Sequence, residues 1–171
     1  MTNDTIVEWH DSYSVGIKLI DEQHKKLIEL TNKLYNSCAS DNEKIESDSI
    51  FFNAFNEIVD YVNYHFSIEE KVMERINYPE YKMHKQIHMI FTNKVLSKAE
   101  GFNLGKTNNS LYFTYNLISF VYYLRDWVLN HIAATDKRLG VHLLEMKRSG
   151  ALQQIVLKTR KGMVTNRVQV R

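Results

Sequence analysis

Proline occurs once in this sequence, at Pro79, and the six glycines leave the stretches 17–78 and 106–139 with neither residue. Chains that long without a breaker, in which Leu, Lys, Glu and Ile recur at threes and fours, satisfy their backbone most simply as helices. An all-α fold is therefore expected. At 171 residues, with 44% apolar and 25% charged side chains, the chain can build one sizeable core and resembles neither a disordered nor a membrane protein.

Four helices follow from the periodicity. The first runs from about Ile20 to Ser40, with Leu27, Ile28, Leu30, Leu34 and Tyr35 on one face. The second runs from Asp48 or Ser49 to Ile76, with Phe52, Phe55, Val59, Val62, Phe66 and Val72 or Met73 inward. The third starts with Pro79 in its first position and continues through Ile87, Ile90, Phe91, Val95 and Leu96 to about Glu100, where Gly101 stops it. After a loop from Gly101 to Asn109, Ser110 caps a fourth helix carrying Leu111, Tyr115, Ile118, Tyr122 and Val128. Long helices joined by short connections suggest an up-down-up-down bundle.

Five of the seven histidines fall within these helices or at their ends. His65 and Glu69 are four apart, as are His84 and His88, so each pair projects from one helical face about a turn apart. One such pair alone is commonly a solvated surface feature. A candidate donor on every helix is different, because a bundle can direct all of them into one interior cavity. Imidazole suits iron, copper, zinc or nickel, and a carboxylate can bridge two ions. Five nitrogens and two carboxylates exceed what one ion needs, which points to a binuclear centre. His131 and Asp136 are five apart, roughly 140° around a regular helix. If both are donors, the fourth helix must end or unwind between them, which Ala133, Ala134 and Thr135 permit. His10 and His142 are read as surface histidines.

The residues Trp9, Ser14-Val15-Gly16-Ile17, Ile20-Asp21-Glu22-Gln23-His24, His65-Phe66-Ser67-Ile68-Glu69-Glu70, His84-Lys85-Gln86-Ile87-His88 and His131 through Asp136 resemble the hemerythrins, most closely the bacterial ones, over roughly residues 6 to 142. The resemblance implies an oxo- or hydroxo-bridged pair of iron ions. His84, His88 and His131 would hold one, and His24 and His65 the other. Glu69 and Asp136 would bridge them, and the iron with two histidines would keep an open position for dioxygen. It further implies reversible dioxygen binding for carriage, storage or supply, without an enzymatic role. The alternatives are a di-iron redox enzyme (oxidase, peroxidase or nitric-oxide reduction) and an oxygen or redox sensor. Five neutral nitrogens against two carboxylates favour the carrier, since helical di-iron oxidases usually carry four carboxylates and two histidines.

Ile28, one turn after His24, and Trp127, one turn before His131, should face the cavity, with Val128 and Ile132 completing an apolar oxygen pocket. Residues 1–140 are taken as the di-iron bundle and 141–171 as a basic C-terminal extension: from Lys137 onward nine Lys and Arg face only Glu145. Leu143, Leu144, Met146, Leu152, Ile155, Val156 and Leu157 suggest a short amphipathic helix there, and Val164, Val168 and Val170 an extended end. An acidic partner could meet this tail, while a specific nucleic-acid role is not expected. A lone cysteine, Cys38, and the lack of a signal-like start or an uninterrupted apolar span suggest a cytoplasmic protein without a membrane crossing.

Overall fold

The computed structural model describes residues 4–38, 44–104 and 110–153. Helices α1 (Lys18–Cys38), α2 (Lys44–Ile76), α3 (Tyr81–Leu104) and α4 (Ser110–Asn130) form the bundle, and α5 (Lys137–Arg148) follows α4 after one widened turn, His131–Asp136. No helix among the described residues is long and apolar enough to cross a membrane.

Several boundaries differ from expectation. α2 begins at Lys44 rather than Asp48 or Ser49: its polar first residues include Lys44 and Glu46, types that form helix well, and polarity alone does not end a helix. α3 begins at Tyr81, so Pro79 lies in the preceding turn and not in the first helical position. It also passes through Gly101 to Leu104, because one interior glycine costs a helix only about 1 kcal/mol. Asn77 stops α2 with a left-handed backbone, φ 52°. Its N–H donates to Glu74 O at 3.2 Å, and that of Tyr78 to Met73 O at 2.9 Å, while both Tyr78 and Met73 are buried in one apolar cluster. This satisfies two carbonyls that the helix end would otherwise leave orphaned.

The buried stripes are rotated slightly from those expected. α2 buries Phe51, Ala54 and Ile58 beside Phe55, Val62 and Phe66, whereas Phe52 and Val59 are only partly covered. α4 buries Leu117, Phe120, Val121 and Leu124, leaving Tyr115 exposed. On α3, Phe91 and Val95 are buried, but Ile90 and Leu96 face outward. Apolar residues crowd more than one face of α3 and α4, so periodicity alone could not choose among them.

Among the described residues two apolar clusters result. The larger joins all four bundle helices, from Leu27 on α1 through Phe55, Phe91 and Leu124 to Ile132; the smaller joins Val15, Ile20, Met73, Ile76, Tyr78, Leu139 and Leu143. Each such side chain stabilises the fold by about 1.5–3 kcal/mol on burial. Between the clusters lies a layer of buried polar residues: His24 between Ile20 and Leu27, Glu69 between Phe66 and Met73, Asp136 between Ile132 and Leu139.

The segment before α1 closes this end of the bundle. Asp21 accepts hydrogen bonds from Ser14 Oγ and Val15 N, both at 2.7 Å, and Lys137 Nζ donates to Ser14 O. α5 runs unbroken through Gly140, and Leu143 beyond it is buried. Residues 154–171, with the expected extended end, lie outside the described residues. A Cβ on Gly140 would stand 2.4 Å from Val15 O and 2.8 Å from Val15 Cβ. Gly140→Ala should therefore destabilise the protein by about 1–3 kcal/mol, measured as a lower urea midpoint. An unchanged midpoint would mean that α5 can slide outward without loss.

Candidate metal centre

Each helix delivers its donors by its own spacing. α1 supplies His24; α2 supplies His65 and Glu69 from one face; α3 supplies His84 and His88 from one face; the turn after α4 supplies His131 and Asp136. All seven are at least 95% buried. The five-residue gap between His131 and Asp136 is accommodated by a π-helical turn, with Lys137 N–H donating to Ile132 O five residues back. The helix thus neither ends nor unwinds. One wide turn replaces a regular one, and residues five apart come to the same side.

Asp136 lies at the middle of the cluster. Its Oδ1 is 3.0 Å from His131 Nε2 and 3.2 Å from His84 Nε2, and its Oδ2 is 3.2 Å from His24 Nε2. Glu69 Oε2 is 3.4 Å from Nε2 of both His84 and His88, and 3.7 Å from that of His65. The donors fall into two overlapping sets, within each of which the facing atoms lie no more than 4.8 Å apart. One is His84, His88 and His131 with Glu69 and Asp136; the other is His24 and His65 with the same two carboxylates.

These contacts do not close as hydrogen bonds. Both oxygens of Glu69 and of Asp136, and Nε2 of His24, His65 and His84, are buried without a hydrogen-bond partner among the described residues. His88 Nε2 and His131 Nε2 face each other at 3.1 Å. So many unsatisfied buried polar atoms would cost several kcal/mol in a metal-free protein. Donor separations near 3 Å are the edges of an octahedron with bonds of about 2.1 Å, so the residues present fit a pair of cations.

The electrostatics agree. Burial raises the Glu69 carboxyl, and Asp136 raises it further, but His65, His84 and His88 outweigh both and hold it at about 2. Burial also opposes ionisation of Asp136, yet His131, His24 and His84 keep it well below the usual carboxylate range. Both carboxylates are thus anionic before any metal arrives. Burial lowers His84 as well, but Asp136 and Glu69 lift it to about 9, whereas burial carries His65 down to about 4 against the same carboxylates.

Aromatic rings wall one side. Trp127 stacks on His131 at 4.5 Å between ring centroids and on Phe91 at 3.6 Å, and Phe66 stacks on His88 at 3.7 Å with planes 4° apart. Val128 and Ile132 are buried in the larger cluster and Ile28 is buried on α1, while Trp127 is only partly covered. Trp127 therefore lies against the His84–His88–His131 set. Phe66, Phe91, Gln23 and Glu70 were not assigned to the site from the sequence; all but Phe91 are direct chain neighbours of a donor, a signal that could have found them. His10 accepts from Ser12 N–H at 3.2 Å and is exposed, and His142 packs on Tyr78 at 5.1 Å. Neither belongs to the cluster.

A helical bundle that buries five imidazoles around two shared carboxylates is a metal-binding bundle with a nitrogen-rich donor set. Residues 15–143 match the family profile described as "Hemerythrin HHE cation binding domain". The chain belongs to the hemerythrin family. It is 30% identical over 147 residues to bacteriohemerythrin of Stenotrophomonas maltophilia (strain R551-3), covering 84% of this chain and 88% of the relative. To bacteriohemerythrin of Clostridium acetobutylicum it is 30% identical over 130 residues, 75% of this chain and 95% of the relative. A crystal structure of wild-type hemerythrin superposes with a TM-score of 0.67 at 25% identity, over 79% of this chain and 95% of that one.

Proposed function

We propose that the protein binds dioxygen reversibly at a pair of iron ions, as a carrier, store or supplier. The observation that carries this reading is the division of five imidazoles into sets of three and two around two shared carboxylates. His84, His88 and His131 would hold one iron and His24 and His65 the other, with Glu69 and Asp136 common to both. A pair of ferrous ions held by these residues would supply the electrons for reversible capture of dioxygen.

The protein's own contribution is charge balance and dryness. Two carboxylates give the ions less negative charge than the four usual in helical di-iron oxidases, which favours the ferrous state over high-valent chemistry and hence binding over turnover. The unequal histidine sets would leave an ion on the His24–His65 side one histidine short, and so able to take a small ligand, where Ile28 is buried one turn from His24. Metal analysis after growth with iron should find two irons per chain. One metal per chain, or occupancy unaffected by His65→Ala, would overturn the binuclear reading.

Trp127 covers His131 from the partly exposed side, and removing the indole opens a cavity that water or small anions can enter. Trp127→Ala should retain both irons but shorten the lifetime of the oxygenated protein, on the order of tenfold if solvent entry limits it. Decay of the visible band reports this, and an equal decay rate at full iron occupancy would leave Trp127 a packing residue only.

A further inference from the structure

The five imidazoles face the cluster through Nε2 and differ in what they do with Nδ1. In His24, His84 and His131 that nitrogen is buried without a hydrogen-bond partner among the described residues. In His65 it lies 3.0 Å from Oε1 of Gln23, a neutral amide. In His88 it lies 3.2 Å from Oε1 of Glu70, whose Oε2 accepts from Lys85 Nζ at 3.0 Å. Of the two outer partners only Glu70 is charged. It stands at the edge of a surface cleft of about 300 Å³, lined among others by Lys85, Met89 and Asn93. The His88 ring is thus held on three sides: by Glu70 at Nδ1, by the stacked Phe66, and by the cluster at Nε2.

The geometry points to Glu70 as a positioning residue that acts on the metal centre through His88, with Lys85 moderating its charge from the cleft. This rests on the proposed iron occupancy but not on dioxygen binding. An acceptor at Nδ1 keeps the proton there and leaves the Nε2 lone pair free for a metal. An anionic acceptor does more, since it raises the basicity of the imidazole and favours the more highly charged metal ion. The three-histidine side therefore carries an anionic support that the two-histidine side, backed by Gln23, lacks. The two irons become electronically unequal, and the ferric state is favoured on the side away from the two-histidine set. Lys85, largely exposed, draws part of the Glu70 charge outward, so a change in the cleft is felt at His88.

The test uses the full chain. Glu70→Gln keeps an acceptor for His88 but removes the charge; Glu70→Leu removes both; Lys85→Met removes the competing cation. With two irons retained, the midpoint potential should rise in Glu70→Gln and fall in Lys85→Met. Release of iron to a chelator should be about ten- to a hundredfold faster in Glu70→Leu. In the zinc-loaded protein, nitrogen NMR should show a slowly exchanging Nδ1 proton on His88 in the wild type and in Glu70→Gln, and its loss in Glu70→Leu. Packing alone would not shift the potential in opposite directions. Unchanged potentials, shifts of the same sign, or a His88 proton still protected in Glu70→Leu would overturn the assignment. A chain that takes up no iron would defeat the proposed function instead, and the zinc measurement would still decide the part played by Glu70.

Discussion

Asp136→Ala should leave less than one iron per chain and no visible band on exposure to oxygen. Among the described residues only Glu69 and Asp136 belong to both donor sets, and Asp136 reaches across them through both oxygens, to His131 and His84 on one side and to His24 on the other. Losing a single histidine weakens one set; losing Asp136 weakens both. Removing even a residue that only supports a metal ligand costs ten- to a hundredfold in affinity, so a shared ligand should cost on the order of a hundredfold or more. The metal-free protein also loses the anion that compensates His84. Breaking a buried charge pair from one side costs about 3–5 kcal/mol, so thermal unfolding should shift down together with iron content. Asp136→Asn, which keeps one oxygen but no charge, should fall between the two. His142→Ala, which alters a histidine on Tyr78 outside the cluster, should change neither quantity. Full iron content in Asp136→Ala would mean that the bridging position belongs to another group.

Stripping the metal should be the second large effect. The unsatisfied nitrogens and oxygens of the buried layer then have no partner, and the free energy of metal binding is lost from the folded state. A loss of about 5 kcal/mol would lower the melting temperature of a chain this size by about 10–20 °C. The metal-free protein should also respond to pH in two directions. His65 is held at about 4 by burial, below its unfolded value near 6.5. The unfolded chain therefore binds that proton first, and stability is lost as the pH falls from 6.5 to 4. His84 is lifted to about 9 by Asp136 and Glu69, so its stabilisation is complete below about 6.5 and lost as the pH rises to 9. Stability of the metal-free form should peak near pH 6.5. The metal-loaded form requires neutral imidazoles, so the advantage conferred by metal should grow between pH 6 and 8. Calorimetry of both forms across this range measures it, and parallel pH profiles would contradict it.

The residues of the buried cluster were legible in the sequence because metal chemistry restricts residue type and helical geometry restricts spacing: His65 with Glu69 and His84 with His88 needed only the four-residue rule. His131 and Asp136 violated that rule, and the violation itself located the π-helical turn, although the sequence suggested an unwound end and the chain instead kept its helix with one widened turn. Helix ends were less legible. Gly101 is tolerated inside α3 because one interior glycine costs a helix only about 1 kcal/mol, and Lys44 opens α2 because a polar stretch can be helical. The outward faces of Ile90, Leu96 and Tyr115 were hidden by an excess of apolar residues around α3 and α4. Gln23 and Glu70 escaped notice as support for His65 and His88 because a hydrogen bond across 42 or 18 residues leaves no local periodicity.

The most direct measurement is optical. The iron-loaded protein is reduced without air, oxygen is admitted, and oxygen is then removed under vacuum or inert gas while the visible spectrum is followed. Reversible binding predicts a charge-transfer band that appears with oxygen, disappears on its removal and returns at nearly full height over many cycles, with two irons per chain throughout. A band that never forms, or one that decays irreversibly within a single exposure while oxygen is consumed, would contradict the account and identify the centre as one of turnover.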